Sequence, residues 1–253
     1  MFAVYVVGTA GSGKTALTGA FSDWLRDQEQ LAATVNLDPA VLSLPYEPDV
    51  DVREFVDYER IMATRNLGPN GALIASVREI TRHIEELREA VNEVKADWLI
   101  IDTPGQLELF AFRKEGRIIA NNLTRGRRAM LFLIDPMFCV NPRNFAASLF
   151  LSASVQAVLG IPSVQVLTKI DAIPRKYVER ILDWHESEEA FEVDADAKLR
   201  GLQVALIKDV MHGIRHLSAS TPLVPVSATN LEGFVELHSI LSRTLGEGEL
   251  ELR

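Results

Sequence analysis

The chain has 253 residues, 47% of them apolar, enough to bury a full core in one large α/β domain. No apolar run is long enough to span a bilayer, and the start MFAVYVVG lacks the charged n-region of a signal peptide, so a cytoplasmic protein is expected. The single cysteine, Cys139, leaves no internal disulfide or structural zinc site, and a formal charge of −9 argues against broad nucleic-acid binding.

Strand-like runs alternate with helical patterns, which predicts a mostly parallel sheet with helices on both faces. The first strand, 2–7, runs into GTAGSGKT at 8–15, followed by a helical pattern with apolar Leu17, Ala20, Phe21, Trp24 and Leu25. This is the P-loop form in its required strand–turn–helix context. Gly8, Gly11 and Gly13 permit torsions that a Cβ would forbid, so Gly11, Ser12, Gly13, Lys14, Thr15 and Ala16 form a phosphate-binding set at a helix N-terminus. Lys14 is expected to reach the β- and γ-phosphates, and the Thr15 hydroxyl to ligate Mg²⁺.

The second strand, 31–37, ends in Asn36-Leu37-Asp38-Pro39-Ala40. Asp38 is placed to hold Mg²⁺ waters or the attacking water, or else is a turn-forming carboxylate. A proline-rich turn, Leu44-Pro45-Tyr46-Glu47-Pro48, precedes Asp51-Val52-Arg53-Glu54-Phe55, which enters a helix. Gly68-Pro69-Asn70-Gly71 reads as a turn between helical patterns, with one long amphipathic stretch over 72–95 behind it. Strand 97–101 delivers Asp102-Thr103-Pro104-Gly105-Gln106. There Asp102 is expected to serve Mg²⁺, the Gly105 N–H to report on the γ-phosphate, and Gln106 either to orient water or to be a solvated amide.

Strand 129–134 ends in Asp135-Pro136, and 143–160 is a helix packed on the sheet. Strand 163–167 leads into Thr168-Lys169-Ile170-Asp171, a variant of the guanine-reading Asn-Lys-x-Asp. Asp171 can accept from both the ring N–H and the exocyclic amine of guanine, while the Lys169 stem lies over the ring. Thr168 in place of asparagine loses an amide that braces this loop, which slightly weakens the guanine preference. After strand 222–226, Ser227-Ala228-Thr229 matches a second guanine loop, in which a backbone N–H meets the base oxygen. Residues 175–220, mostly helical and too long for a sheet connection, read as a helical insertion whose acidic run from Glu186 to Asp196 is a solvated face. Arg125, Arg127 and Arg128 read as a basic patch in a solvated loop, 230–245 as a closing helix and 246–253 as a polar tail.

GTAGSGKT, NLDPA, PYEP followed by DVREF, GPNG, DTPGQ, TKID and SA together resemble the GPN-loop GTPases over nearly the whole chain, and an archaeal member above all. The resemblance implies a P-loop NTPase three-layer sandwich of the nucleotide-dimerising class. One domain over 1–253 would carry a GPN-loop insertion near 68–71 and the helical insertion near 175–220. It implies GTP as substrate, GDP as product, Mg²⁺, and a homodimer in which Gly68, Pro69 and Asn70 reach the partner's site, Asn70 meeting the γ-phosphate in trans. Dimerising relatives often carry a second lysine early in the P-loop, whereas Thr9 and Ala10 stand here, so another group must act across the dimer. The implied catalytic set is Lys14, Asp38, Asn70 and Gln106, and the metal set Thr15, Asp38 and Asp102. Arg53, Arg113 and Arg117 read as surface or packing residues, so no arginine finger is evident. Resemblance to eukaryotic relatives implies a protein client such as RNA polymerase subunits, with no membrane and no direct nucleic-acid contact. Two other readings stay open: a P-loop ATP-dependent kinase, and a nucleotide-gated scaffold with incidental hydrolysis.

Overall fold

Along the first strand, side chains alternate between two buried faces: Ala3, Tyr5 and Val7 enter one apolar cluster, Val4 and Val6 a second. A strand buried on both sides must lie in the middle layer of three. The computed structural model describes residues 1–218 and 222–247. Seven strands, β1 (Phe2–Gly8), β2 (Ala32–Asn36), β3 (Val50–Asp51), β4 (Trp98–Asp102), β5 (Arg127–Ile134), β6 (Ser163–Leu167) and β7 (Leu223–Pro225), form one sheet in the order β3-β2-β4-β1-β5-β6-β7. Every neighbouring pair is parallel, so all strand C-termini open on one edge.

The helices are α1 (Lys14–Asp27), α2 (Tyr58–Thr64), α3 (Pro69–Ile80), α4 (Ile84–Glu93), α5 (Leu107–Ala111), α6 (Lys114–Asn122), α7 (Pro136–Cys139), α8 (Pro142–Leu159), α9 (Arg175–Glu186), α10 (Glu188–Lys198), α11 (Leu202–Ser218) and α12 (Phe234–Glu247). The face of Val4 and Val6 is covered by α1, through Leu17, Phe21 and Leu25, and by α12, through Phe234, Leu237 and Leu241. Phe21 and Phe234 meet edge to face at 5.4 Å, joining the two helices. The opposite face carries α3 to α6 and α8, with the insertion packed on α8 through α10 and α11 and on β7 through α9. Among the described residues no helix is long and apolar enough to cross a membrane.

The insertion is tied to the domain by aromatic packing. Trp184 is buried between Phe145 of α8 and Phe191 of α10, at 5.9 and 6.2 Å, and its indole N–H donates to Asp194 at 2.8 Å. Asp194 also pairs with Arg180 at 3.1 Å. The acidic run is therefore not wholly a solvated face: Asp194 satisfies the buried indole.

Other departures from the sequence reading are local. The stretch 72–95 is two helices, because the chain closes at Arg82 and His83, whose N–H groups both return to the Glu79 carbonyl. Gly68 is the N-cap of α3 and Pro69 its first residue, so Gly-Pro-Asn opens a helix, where the missing proline N–H costs nothing. β3 has two residues, too few to show a period. Arg127 and Arg128 lie within β5, not in a loop before it. The Arg127 guanidinium lies 5.8 Å from the Phe2 ring centre, and Arg128 donates to the Ala120 carbonyl at 2.6 Å and to Asn121 at 2.9 Å. The end of the expected insertion and most of the expected tail fall on 219–221 and 248–253, outside the described residues.

One glycine sets the approach of α6 to α5. A Cβ on Gly116 would overlap the Phe110 carbonyl, which is backbone and cannot swing away. Gly116→Ala is expected to cost about 2–3 kcal/mol of stability through this overpacking. Urea unfolding of the two chains measures it, and a loss below about 0.5 kcal/mol would refute the contact.

Candidate nucleotide site

Six motif-bearing loops converge at the C-terminal edge of the sheet, those after β1, β2, β4, β5, β6 and β7. In the first, Gly11 and Gly13 have φ of 79° and 92°, the left-handed region that a side chain strains to enter. Gly13 caps α1 without any side-chain hydrogen bond, so the first N–H groups of the helix remain open to an anion. The Ser12 hydroxyl beside them is buried and has no partner.

The Lys14 ammonium, also buried, donates to the carbonyls of Gly8 at 3.0 Å, Thr9 at 3.1 Å and Gly105 at 3.3 Å. Burial lowers its pKa, and the carboxylates of Asp102 and Asp38 oppose that shift. Asp38 accepts from the N–H of Ala40 at 3.0 Å with one oxygen and from that of Gly105 at 2.9 Å with the other. Thus Lys14, Asp38 and Gly105, all expected near a γ-phosphate, are already joined to one another.

Asp102, at the end of β4, is 1% exposed. Burial pushes its carboxyl up to about 6, with Asp38 adding to the rise while Thr15, Tyr46 and Lys14 favour the ionised form. The Tyr46 hydroxyl donates to its Oδ2 at 3.2 Å, whereas Oδ1 has no hydrogen-bond partner although Thr15 lies beside this carboxylate. A buried carboxylate oxygen without a donor, next to a threonine hydroxyl, suits the water shell of a hard cation that keeps several waters. Among the described residues no three His, Cys, Asp or Glu side chains gather as a ready-made metal cage.

Gln106 is the N-cap of α5, and its amide N–H₂ donates to Asn70 Oδ1 at 3.0 Å. The two side chains expected at opposite sides of a dimer interface therefore touch within one protomer. Gly68 and Pro69 lie beside this pair at the start of α3.

On the other side of the P-loop is a second group of residues suited to reading a base. Thr168 donates its hydroxyl to the Ser12 carbonyl at 2.9 Å, with the Ile134 carbonyl at 3.2 Å, so the brace expected to be lost with asparagine is supplied by a hydroxyl. Lys169 sits at φ 51° with its stem over Gly13, and its ammonium donates to the Gly11 carbonyl and to Asp135. Ser227 donates to Asp171 at 2.6 Å, and its own oxygen accepts the Asn230 N–H at 3.1 Å. Asp171 is thus held by a hydroxyl from the loop that also carries Ala228.

Comparison with known proteins fits this geometry. A GPN-loop GTPase of Pyrococcus abyssi is 34% identical over 248 residues, covering 94% of each chain. The chain belongs to the GPN-loop GTPases. That is a GTP-hydrolysing P-loop family. A solved apo GTPase structure from the same organism superposes with a TM-score of 0.85 at 32% identity, covering 96% of this chain and 97% of that one. GPN-loop GTPase 1 of Saccharomyces cerevisiae is 26% identical over 96% of this chain and 66% of its own. A GPN-loop GTPase 2 homolog of Dictyostelium discoideum is 33% identical over 68% of this chain and 55% of its own, so the chain spans about half the length of that relative. The family model that matches residues 6–247 is described as a conserved hypothetical ATP binding protein. That description names adenine, whereas the relatives are named as GTPases.

Four supporting residues of this GPN-loop GTPase were not assigned a role from the sequence. Asn36, fully buried, donates to the Asp38 carbonyl at 3.2 Å and to Asp51 at 3.0 Å, and accepts the Asp38 N–H at 2.9 Å. Asp51 is in turn gripped by Arg53, which keeps its carboxyl low despite burial. Asp135 anchors Lys169, and Tyr46 anchors Asp102. Their signal lay in NLDPA, DVREF, Asp135-Pro136 and PYEP, motifs that sequence alone does not connect to one another.

Proposed function

We propose that this chain hydrolyses GTP to GDP and phosphate in a Mg²⁺-dependent reaction and works as a nucleotide-driven switch. The observation that carries the reading is that Lys14, Asp38, Gly105 and Asp102 meet at one sheet edge with the Thr168–Asp171 loop beside them.

Asp171 would accept from guanine N1–H and the 2-amino group, held in place by Ser227, while the Ala228 N–H meets the base oxygen. The N–H groups of Gly13 to Ala16 at the start of α1 and the Lys14 ammonium would hold the phosphates, with Gly11 beside them and the Ser12 N–H turning from the Thr9 carbonyl, its present acceptor at 3.1 Å. Thr15 and Asp102, with Asp38, are the residues that would hold Mg²⁺ and its waters. Mg²⁺, when bound, supplies charge neutralisation on the phosphate oxygens. Gln106, which can donate and accept at once, would orient the attacking water with Asp38 taking its second hydrogen bond. The Gly105 N–H would then turn from Asp38 to the γ-phosphate, and Lys14 from the carbonyls to the same group.

The reading extends to a homodimer in which Gly68-Pro69-Asn70 acts on the partner's phosphate, with Asn70 leaving Gln106 to do so. In its support, large apolar side chains stand exposed on motif loops at this edge: Leu42 after Asp38, Phe112 after α5, and Met137 and Phe138 after Asp135. The cytoplasm is the proposed setting. Assembly of a protein complex such as RNA polymerase is the proposed use, on family resemblance.

Gln106→Ala is expected to reduce phosphate release from GTP by about 10- to 100-fold with little change in GTP affinity, since it removes water positioning and not ground-state binding. Measuring release with GTP and ATP, and mass in solution in the same samples, tests the whole reading. Release from ATP in preference to GTP would sink it.

A further inference from the structure

Tyr46 lies in PYEP, to which the proposed GTPase chemistry gives no role, yet two elements of the site meet on it. Its Cβ and ring edge pack against α1 at Gly19, where a Cβ would come 3.2 Å from Cδ1 and 3.3 Å from the tyrosine Cβ. Its hydroxyl reaches across to β4 and donates to Asp102 Oδ2 at 3.2 Å. The loop that carries it begins at Asp38 and is held near that start by Arg53, which donates to the Val41 carbonyl at 3.2 Å, and at its other end by Asp49, which accepts the Thr34 N–H at 2.7 Å.

A carboxylate serving a metal through water needs one oxygen fixed so that the other stays aimed. Outer partners of this kind orient the residues that hold a metal, and removing one typically costs about 10- to 100-fold in metal affinity. At Asp102 the division is already made: Oδ2 has the tyrosine hydroxyl, and Oδ1, buried beside Thr15, has no partner. A phenol also suits this place because it is a single donor on a rigid ring, and the ring is held by its contact with Gly19.

We propose that Tyr46 is a positioning residue for the Mg²⁺ site, fixing the Asp102 carboxylate through Oδ2 so that Oδ1 faces the water shell of the ion. It thereby ties the loop that begins at Asp38 to the metal. The proposal rests on the Mg²⁺-dependent GTPase reading above.

Tyr46→Phe keeps the ring on Gly19 and removes the hydroxyl alone. The probe is a fluorescent N-methylanthraniloyl GDP, titrated with Mg²⁺ and, separately, in EDTA. For the variant, the Mg²⁺ concentration at half of the metal-induced gain in GDP affinity is expected to rise about 10-fold. Affinity in EDTA should stay within about twofold of wild type, and saturating Mg²⁺ should restore turnover of GTP. A Mg²⁺ titration equal to wild type would overturn the proposal. So would an equal loss of affinity in EDTA, which would make Tyr46 a loop staple only. A wild-type chain whose GDP affinity ignores Mg²⁺ would instead overturn the metal reading itself, and the proposal with it.

Discussion

Lys14→Ala is expected to lower kcat/KM for GTP by about 10³-fold while leaving the chain folded, because it removes a preorganised donor from where charge develops in the transition state. Lys14 is buried against three backbone carbonyls, at 3.0, 3.1 and 3.3 Å. Carbonyls are neutral acceptors, and a phosphate oxygen carrying full charge outcompetes them. The alanine chain would also leave Asp38 and Asp102 facing the incoming phosphates without the ammonium that now offsets them. Both KM and kcat should therefore suffer, kcat more, since the demand is greatest when the γ-phosphoryl is in flight. Single-turnover phosphate release beside a thermal melt separates the effect from misfolding. A loss under about tenfold in a folded chain would mean that Lys14 is not the phosphate cation.

The same carbonyl contacts bear on the proposed nucleotide switch. Asp38 holds the Gly105 N–H, Lys14 holds the Gly105 carbonyl, and Gln106 holds Asn70. Each of these bonds occupies at least one group that the proposed reaction would need free for substrate. On the proposed reading, substrate binding would exchange hydrogen bonds within the protein for hydrogen bonds to phosphate, which would keep its net cost small. Loss of the γ-phosphate would let the loops after β2 and β4 bond to each other again. A loop pair with two alternative sets of partners is the bistable element that a switch requires.

The sheet was legible because each long strand is a continuous apolar run ending in a chemically distinctive loop, as in Val4 to Val7 before the P-loop. Site residues assigned by motif are gathered by the fold because the motifs sit at strand ends and the sheet is all parallel. What stayed hidden is tertiary. Tyr46 and Asp102 are 56 residues apart in the chain, and no local pattern pairs them. The hydroxyl of Thr168 replaces an asparagine amide through a carbonyl 156 residues away. The break between α3 and α4 was missed because the apolar spacing continues across it while the backbone does not. Arg127 and Arg128 look like a solvated patch until Phe2 and the α6 carbonyls are placed beside them.

Asp171→Ala is expected to raise the KM for GTP by about 10²- to 10³-fold and to leave any use of ATP unchanged. Two hydrogen bonds from guanine to a carboxylate contribute about 1.5–3 kcal/mol each, and the lower half of that range applies because Asp171 is solvent-exposed. Adenine presents an acceptor where guanine presents N1–H, so it gains nothing from the carboxylate and loses nothing when it goes. The discrimination between the two bases should therefore collapse from the GTP side alone. Ser227→Ala should act in the same direction but less, since it frees the carboxylate held at 2.6 Å without removing it. Competition of ATP and GTP for the fluorescent GDP site reads both variants. An Asp171→Ala chain that still prefers GTP by the wild-type ratio would place base recognition elsewhere, and the description of the family as ATP-binding would then regain its force.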